Sequence, residues 1–167
     1  LQVTDMMVGA EDCDKGEVTV RRDYSWVFHD QLKDLPSVGS GGSGENNAYA
    51  EEIIKLQPDV ILAGYTAESA DELQNLTGIP VVSVSYSSIN FVDESFYEAV
   101  RIFAQVVGAE DRAEELLSFI DECKADLTKR TAEAGESPSC YTGAVTFSGR
   151  HGFCGTYANF GPFMAVN

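Results

Sequence analysis

The chain has 167 residues, of which 44% are hydrophobic and 23% are charged, a composition that can form a buried core. Aspartate and glutamate outnumber lysine and arginine by 27 to 11, and the resulting net charge of −16 would repel a phosphate backbone, so we expect no nucleic acid partner. The longest apolar runs, of four or five residues, fall far short of the ~20 that span a bilayer, and we expect neither a membrane span nor a targeting segment in this sequence.

The first third of the chain leads from an irregular start into a helical pattern. A short strand is predicted at 18–20, residues 21–35 are rich in aromatic side chains without a clear period, and 35–39 are predicted to be extended. A helix is expected to start after Asn47, which can cap it, and to end at Pro58. Its apolar side consists of Ile53, Ile54 and Leu56.

The next segments alternate between strand and helix. Asp59–Ala63 and Val81–Val84 are short apolar runs of the kind found in buried parallel strands. Between them, Ser69 and Glu72 have the spacing of a capping box, and Gly78 can close the helix. Strand, helix and strand in this order predict an α/β fold, a parallel-sheet Rossmann-like lobe.

Two helical patterns follow the second strand. Ser95 and Glu98 form a possible capping box for a helix that ends at Gly108. The next helix is predicted to run unbroken from Asp111 to Glu133, about 35 Å, which is longer than one small sheet can cover. Its predicted buried stripe consists of Ala113, Leu116, Leu117, Ile120, Cys123 and Leu127.

The last part of the chain is expected to begin a second lobe. A breaker at 134–138 precedes a predicted strand at 143–147 and a loop at 148–157, and this is too little sequence for a complete domain. The predicted organisation is therefore an amino-terminal α/β lobe at 1–109, a long helix at 110–134 and an incomplete carboxyl-terminal lobe at 138–167.

The loops after the predicted strands carry the candidate binding residues. Ligands of open parallel sheets bind at the carboxyl ends of the strands. Glycines, hydroxyls and tyrosines follow the strands here and predict a binding surface without catalytic groups, although ordinary turns of small residues have the same composition. The candidates are Gly41, Gly42, Ser43, Tyr65, Thr66, Tyr86 and Ser87. In the later glycine-flanked loop we add Arg150, His151 and Tyr157.

The glycine run Gly39–Gly44 raises an alternative function, that of a nucleotide-dependent enzyme. It matches the letters G-x-G-x-x-G, and Asp59 lies 20 residues after Gly39. The context disagrees with a dinucleotide fingerprint, because the preceding strand is short and Asp59 begins the next strand rather than ending it.

The cysteines and histidines do not form a metal-binding motif. The chain has 4 cysteines without a C-x-x-C pair and 2 histidines, so we predict no metal site and no cofactor. Cys140 and Cys154 are either disulfide partners in an oxidising compartment or, like Cys13 and Cys123, reduced thiols.

Several segments resemble a known family of transport proteins. Glu51–Gly64, with Gly78–Val82, is similar to the amino lobe of ABC-transporter substrate-binding proteins of the ferric-siderophore, haem and cobalamin class. Lys33–Gly39 and the long helix, which in this family connects two lobes, extend the resemblance. Gly149–Phe163 resembles the first cleft loop of the carboxyl lobe in clostridial and archaeal members.

The resemblance implies an extracytoplasmic solute-binding protein, periplasmic or anchored as a cell-surface lipoprotein. It would capture a metal chelate between its lobes, with Arg150 available to neutralise an anionic one, and would deliver it to an ABC permease. Glu51 matches the glutamate that docks onto permease arginines in cobalamin-binding relatives. Family members extend beyond both ends of this sequence, so we expect it to represent little more than the amino lobe.

Two further alternatives remain beside the enzyme. A zinc or manganese receptor of the related group would need more histidine ligands than the 2 present. A sensor or interaction module could use the same lobe without transport.

Overall fold

The computed structural model describes residues 1–18, 23–41, 47–85, 92–135, 139–143, 152–156 and 160–166. The chain divides into two compact units. The first comprises Leu1–Ser85 and Ile102–Ala109, and the second comprises Tyr86–Arg101 and Glu110–Asn167. The helices are α1 (Asp12–Lys15), α2 (Asp23–Leu32), α3 (Ala50–Leu56), α4 (Ala67–Thr77), α5 (Glu94–Val107), α6 (Glu110–Ala134) and α7 (Gly161–Met164), with 3-10 turns at Thr4–Met6 and Gly152–Cys154.

Two parallel strands, β1 (Ile61–Ala63) and β2 (Val81–Ser83), form the sheet of the first unit. Ile61 pairs with Val81 and Ala63 with Ser83, with α4 as the connection between the strands. Helix α4 packs against both β2 and α3. The predicted α/β class with a parallel sheet is confirmed.

Small and aliphatic residues form the core of the first unit. Leu73 on α4 is 1% exposed, and Ile53, the apolar residue that α3 turns inward, is 4% exposed. The other buried hydrophobic residues of this unit are Ala10, Leu32, Ala70, Val84 and Ala104. Among the helices of the described ranges, none combines the length and apolar character that crossing a membrane requires.

Three predicted helix starts are wrong by a few residues. Helix α3 begins at Ala50, and its N-cap is Tyr49 rather than Asn47, whose carbonyl instead accepts a bond from the amide of Ser40. Helix α4 begins before Ser69, because the Thr66 hydroxyl accepts a hydrogen bond from the Ser69 amide at 3.3 Å. At α4 a hydroxyl nearer the start of the chain thus satisfies the backbone before the predicted cap could, whereas the α3 start has no side-chain cap.

The start of α5 is displaced in the same way. The Asp93 carboxylate accepts the Phe96 amide at 3.3 Å and the Ser95 hydroxyl at 2.5 Å. Asp93 therefore caps this helix, and Ser95 supports the cap instead of providing it.

Helix α2 was not predicted. Its sequence shows no apolar period. In the structure two of its large apolar residues, Trp26 and Val27, are 64% and 67% exposed, while Leu32 is buried. Packing against α1 contributes to this helix where the residue pattern alone does not predict it.

Helices α5 and α6 contribute buried hydrophobic residues to the second unit. The predicted unbroken helix is confirmed, since α6 extends over 25 residues, and Ala113 and Leu117 are buried. Cys123, predicted to be buried, is exposed. The other buried hydrophobic residues of this unit are Tyr97 and Ala99 on α5.

Polar contacts also connect the two helices within this unit. The Tyr97 hydroxyl donates to Asp121 Oδ1 at 2.5 Å, and Lys124 Nζ donates to the carbonyl of Val92 at 2.7 Å. Lys124 Nζ lies 4.9 Å from the centre of the Tyr97 ring. The predicted strands at 18–20 and 143–147 lie almost entirely outside the described residues.

Candidate functional site

The structure describes three of the predicted ligand-binding residues, Gly41, Tyr65 and Thr66, and the predicted docking residue Glu51. The other candidates lie outside the described residues: Gly42, Ser43, Tyr86, Ser87, Arg150, His151 and Tyr157. The described candidates all lie in the first compact unit.

Tyr65 is fixed at the carboxyl ends of the two parallel strands. It follows β1 by two residues, and its carbonyl accepts a hydrogen bond from the hydroxyl of Ser83, the last residue of β2, at 2.6 Å. The amide of Val84 donates to the carbonyl of Ala63 at 3.1 Å and extends the strand pairing by one bond. The backbone that presents Tyr65 is thus tied to both strands, at the sheet edge where the sequence predicted a site.

Thr66 has a local structural role that the sequence analysis did not foresee. Its hydroxyl caps α4 through the Ser69 amide, and it also hydrogen-bonds the Ser69 hydroxyl at 3.1 Å. A hydroxyl committed to a helix start is a weaker candidate for ligand binding than Tyr65.

Glu11 is the polar partner of the Tyr65 side chain. Burial raises the pKa of Tyr65, and the negative charge of the Glu11 carboxylate and its interaction with the hydroxyl add to this effect. Burial also raises the pKa of Glu11, and the nearby Asp14 carboxylate adds to this effect, although hydrogen bonds from Cys13 and Tyr65 oppose it.

Gly41 also lies beside this carboxylate. Its φ of +69° is a conformation that suits glycine, and a Cβ atom there would lie 2.5 Å from both Cys13 Sγ and Glu11 Oε2. The start of α1 is docked onto the adjacent backbone, since the Asp12 amide donates to the carbonyl of Gly39 at 2.8 Å. Glu11 therefore lies next to two predicted residues, Gly41 and Tyr65, that belong to different loops.

Sequence reasoning missed Glu11 because the segment around it shows no periodic pattern. Helix α1 has only four residues, too few to produce an amphipathic signal. The bridge between Ala10 and Ser37, which brings Glu11 to the sheet edge, joins residues far apart in the chain. The sequence predicted an extended segment at 35–39 but gave no indication that it pairs with the segment around Ala10.

Glu11, Cys13 and Asp14 bring one donor atom each to within 4.8 Å of one another. A closed zinc site needs four ligands, and carboxylates gather at partly exposed positions without an ion. We assign no metal centre here. All four cysteines, which lie in the described part of the chain, are thiols in the structure.

Polar contacts hold α1 beside this group. The Tyr49 hydroxyl donates to Asp12 Oδ2 at 3.0 Å, and Lys15 Nζ donates to the Ser37 hydroxyl at 2.7 Å. Hydrogen bonds, first from Ser37 and then from Tyr49, lower the pKa of Asp12. Asp12 is thus a third carboxylate on the short segment that supports Tyr65.

Glu51 is exposed in the first turn of α3. The next residue, Glu52, pairs with Lys55 at 2.7 Å along the same helix. Carboxylates in the first turn are favoured by the helix dipole, so position alone accounts for a glutamate here.

A family model for periplasmic binding proteins matches residues 1–159, almost the whole chain. No curated protein matches it. Among solved structures, a periplasmic solute-binding protein from Veillonella parvula is 25% identical, with a TM-score of 0.55, over 80% of this chain and 39% of the other. The periplasmic haem-binding protein BhuT, in complex with two hemes, is 18% identical, with a TM-score of 0.52, over 88% of this chain and 55% of the other.

SirA of Staphylococcus aureus is 27% identical, with a TM-score of 0.48, over 68% of this chain and 36% of SirA. In all three comparisons the chain spans less than two thirds of the length of the solved protein. The likeness to BhuT is a likeness of fold.

Proposed function

The chain belongs to the periplasmic binding protein family, whose members bind solutes rather than catalyse reactions, and we propose that it serves as the solute-binding component of an ABC importer. In this proposal the protein works outside the cytoplasm, in the periplasm or as a cell-surface lipoprotein. It captures a metal chelate, either a ferric siderophore, haem or a corrinoid, and delivers it to the permease. Residues 1–109 serve as the amino-terminal lobe, 110–134 as the helix between lobes and 138–167 as the start of the carboxyl-terminal lobe.

The observation that supports this proposal is the position of Tyr65. It lies directly beyond the carboxyl end of β1, its backbone accepts a hydrogen bond from the last residue of β2, and both it and Gly41 lie beside Glu11. Ligands of open parallel sheets bind at this edge. An aromatic ring beside a glycine backbone gives an organic chelate both an apolar contact and room to approach.

The ligand class follows from the resemblance of Glu51–Gly64 to chelate-binding proteins. BhuT, described as a haem-binding protein, shares the fold and carries hemes in its own structure. For this chain, haem is one of three classes to be tested. Seven further ligand contacts remain predictions from the sequence: Gly42, Ser43, Tyr86, Ser87, Arg150, His151 and Tyr157.

The same proposal assigns Glu51 to permease docking. Its carboxylate is exposed and free of burial costs, as a docking charge on a rigid helix must be. Docking and helix capping predict different results when the charge of Glu51 is reversed.

Replacing Tyr65 tests the proposed site. Calorimetric titration of the full-length protein with ferric-siderophore, haem and corrinoid ligands should give binding to one class. Tyr65→Ala should weaken it by ~1 to 3 kcal/mol, as expected for a buried aromatic contact, and Tyr86→Ala should do the same.

Leu76→Ala is the matched control, because Leu76 is 67% exposed on α4 of the same unit. It should leave the affinity unchanged. Equal affinity of the wild type and both tyrosine variants would move the site elsewhere.

A further inference from the structure

We propose that the first compact unit selects metal chelates that are neutral or positively charged where they meet it, and that Glu11 determines this selectivity. The inference rests on the proposed function, because it concerns the ligand of the same site. It narrows the ligand to a charge class and adds a residue that the sequence pattern did not reveal.

Glu11 lies within the site and not merely near it. The charge of its carboxylate acts on the Tyr65 hydroxyl, and its Oε2 atom occupies the space that a side chain at position 41 would need. A ligand that contacts the Tyr65 ring and the Gly41 backbone therefore comes close to this carboxylate.

Two further carboxylates lie on the same short segment as Glu11. Asp14 brings a second carboxylate within 4.8 Å of it, and Asp12 lies between them in the chain. The nearby cation Lys15 already donates to the Ser37 hydroxyl. Among the described residues of this segment, the three carboxylates Glu11, Asp12 and Asp14 outnumber the single cation Lys15, so the segment attracts cations and repels anions.

The chain as a whole adds to this local field. A net charge of −16 lowers the concentration of anions near the surface and raises that of cations. Arg150, which the sequence analysis considered for neutralising an anionic chelate, is one of the 11 basic residues set against 27 acidic ones. Both the local and the overall charge therefore favour the same ligand class.

A panel of chelates that differ in charge tests the inference. Equilibrium competition on the full-length protein would compare a cationic and a neutral ferric tris-hydroxamate, a corrinoid, a trianionic ferric tris-catecholate and haem with its two propionates. We expect the cationic or neutral ligands to bind at least about tenfold more tightly than the anionic ones. Glu11→Gln should reduce this ratio by about tenfold.

Two further variants separate charge from structure. Tyr65→Phe removes the hydroxyl beside Glu11 but keeps the carboxylate, so it should change the affinities for all chelates alike and preserve the ratio. Glu52→Gln removes one charge from α3, and the ratio should remain that of the wild type. A ratio that changes equally in Glu11→Gln and Glu52→Gln would overturn the role of Glu11.

The outcomes distinguish this inference from the proposed function. Tightest binding of the tris-catecholate or of haem contradicts the charge selectivity but supports chelate capture. Failure of the wild type to bind any member of the panel contradicts both.

Discussion

Single residues at the sheet edge determine how the candidate site is built. Gly41 adopts a φ of +69° with two side chains packed into the space beside it, whereas Gly78, with a φ of +72° at the end of α4, has no atom within 4 Å of the place that a Cβ would occupy. The two glycines therefore share a backbone conformation and differ in their surroundings. This difference provides a direct measure of the packing around Glu11.

Gly41→Ala should destabilise the protein by about 2 to 4 kcal/mol, from left-handed strain together with the clash against Cys13 and Glu11. Gly78→Ala should cost only the strain, about 1 kcal/mol. Urea unfolding of both variants measures the difference. Equal losses would show that the space beside Gly41 is open.

Tyr97 is a residue of the second unit with a strongly shifted titration. The hydrogen bond to Asp121, followed by burial, raises the pKa of Tyr97 to about 12. The folded state favours the neutral phenol. The stability that this phenol contributes is therefore fully present below its pKa of about 10 in the unfolded chain, and it is lost as the pH rises through its pKa in the folded protein.

Tyr97→Phe should therefore be less stable than the wild type at pH 8, by about 0.5 to 1.5 kcal/mol for one hydrogen bond. This gap should close between about pH 10 and 12. Ultraviolet titration of the phenolate measures the pKa of Tyr97, and denaturant unfolding across this pH range measures the difference in stability between the wild type and the variant. A gap that persists undiminished at the upper end would exclude the hydrogen bond to Asp121 as its source.

At the scale of elements, sequence patterns predicted long or regular features and missed short ones. Helix α6 and the strand pair were predictable because a sustained apolar stripe and short apolar runs have distinct periods. Helix α1 and the Ala10 to Ser37 bridge were not, since four residues carry no period and pairing between distant segments leaves no local mark. The Tyr65 and Gly41 positions were therefore predicted, while Glu11, which joins them, was not.

The two faces of α6 should respond differently to truncation of a side chain. Leu117 is 2% exposed and Phe119 is 63% exposed on the same helix. Leu117→Ala should cost about 2 to 5 kcal/mol because it leaves a cavity, whereas Phe119→Ala should change stability by no more than about 0.5 kcal/mol. Denaturant midpoints compare them, and a larger loss at Phe119 would mean that the opposite face of α6 is the buried one.

At the scale of the whole molecule, capture and delivery should depend on different residues of the first unit. Glu51→Arg should abolish uptake of the chelate by cells while leaving its affinity for the protein intact, because charge reversal at a docking contact repels the partner. Glu68→Arg is the matched control, since Glu68 is also an exposed carboxylate in the first turn of its helix, α4. Normal uptake with Glu51→Arg would leave only the helix-start role, worth ~0.3 to 1 kcal/mol to folding.

The proposed function requires the protein to carry a metal chelate. The full-length protein, isolated from its native source without denaturation, should retain one, and ultraviolet-visible spectra with metal analysis should identify it. We predict a stoichiometric metal together with the absorption of a ferric hydroxamate or a corrinoid, the classes compatible with the charge around Glu11. Protein that contains no metal and takes up none when incubated with these chelates would contradict the account.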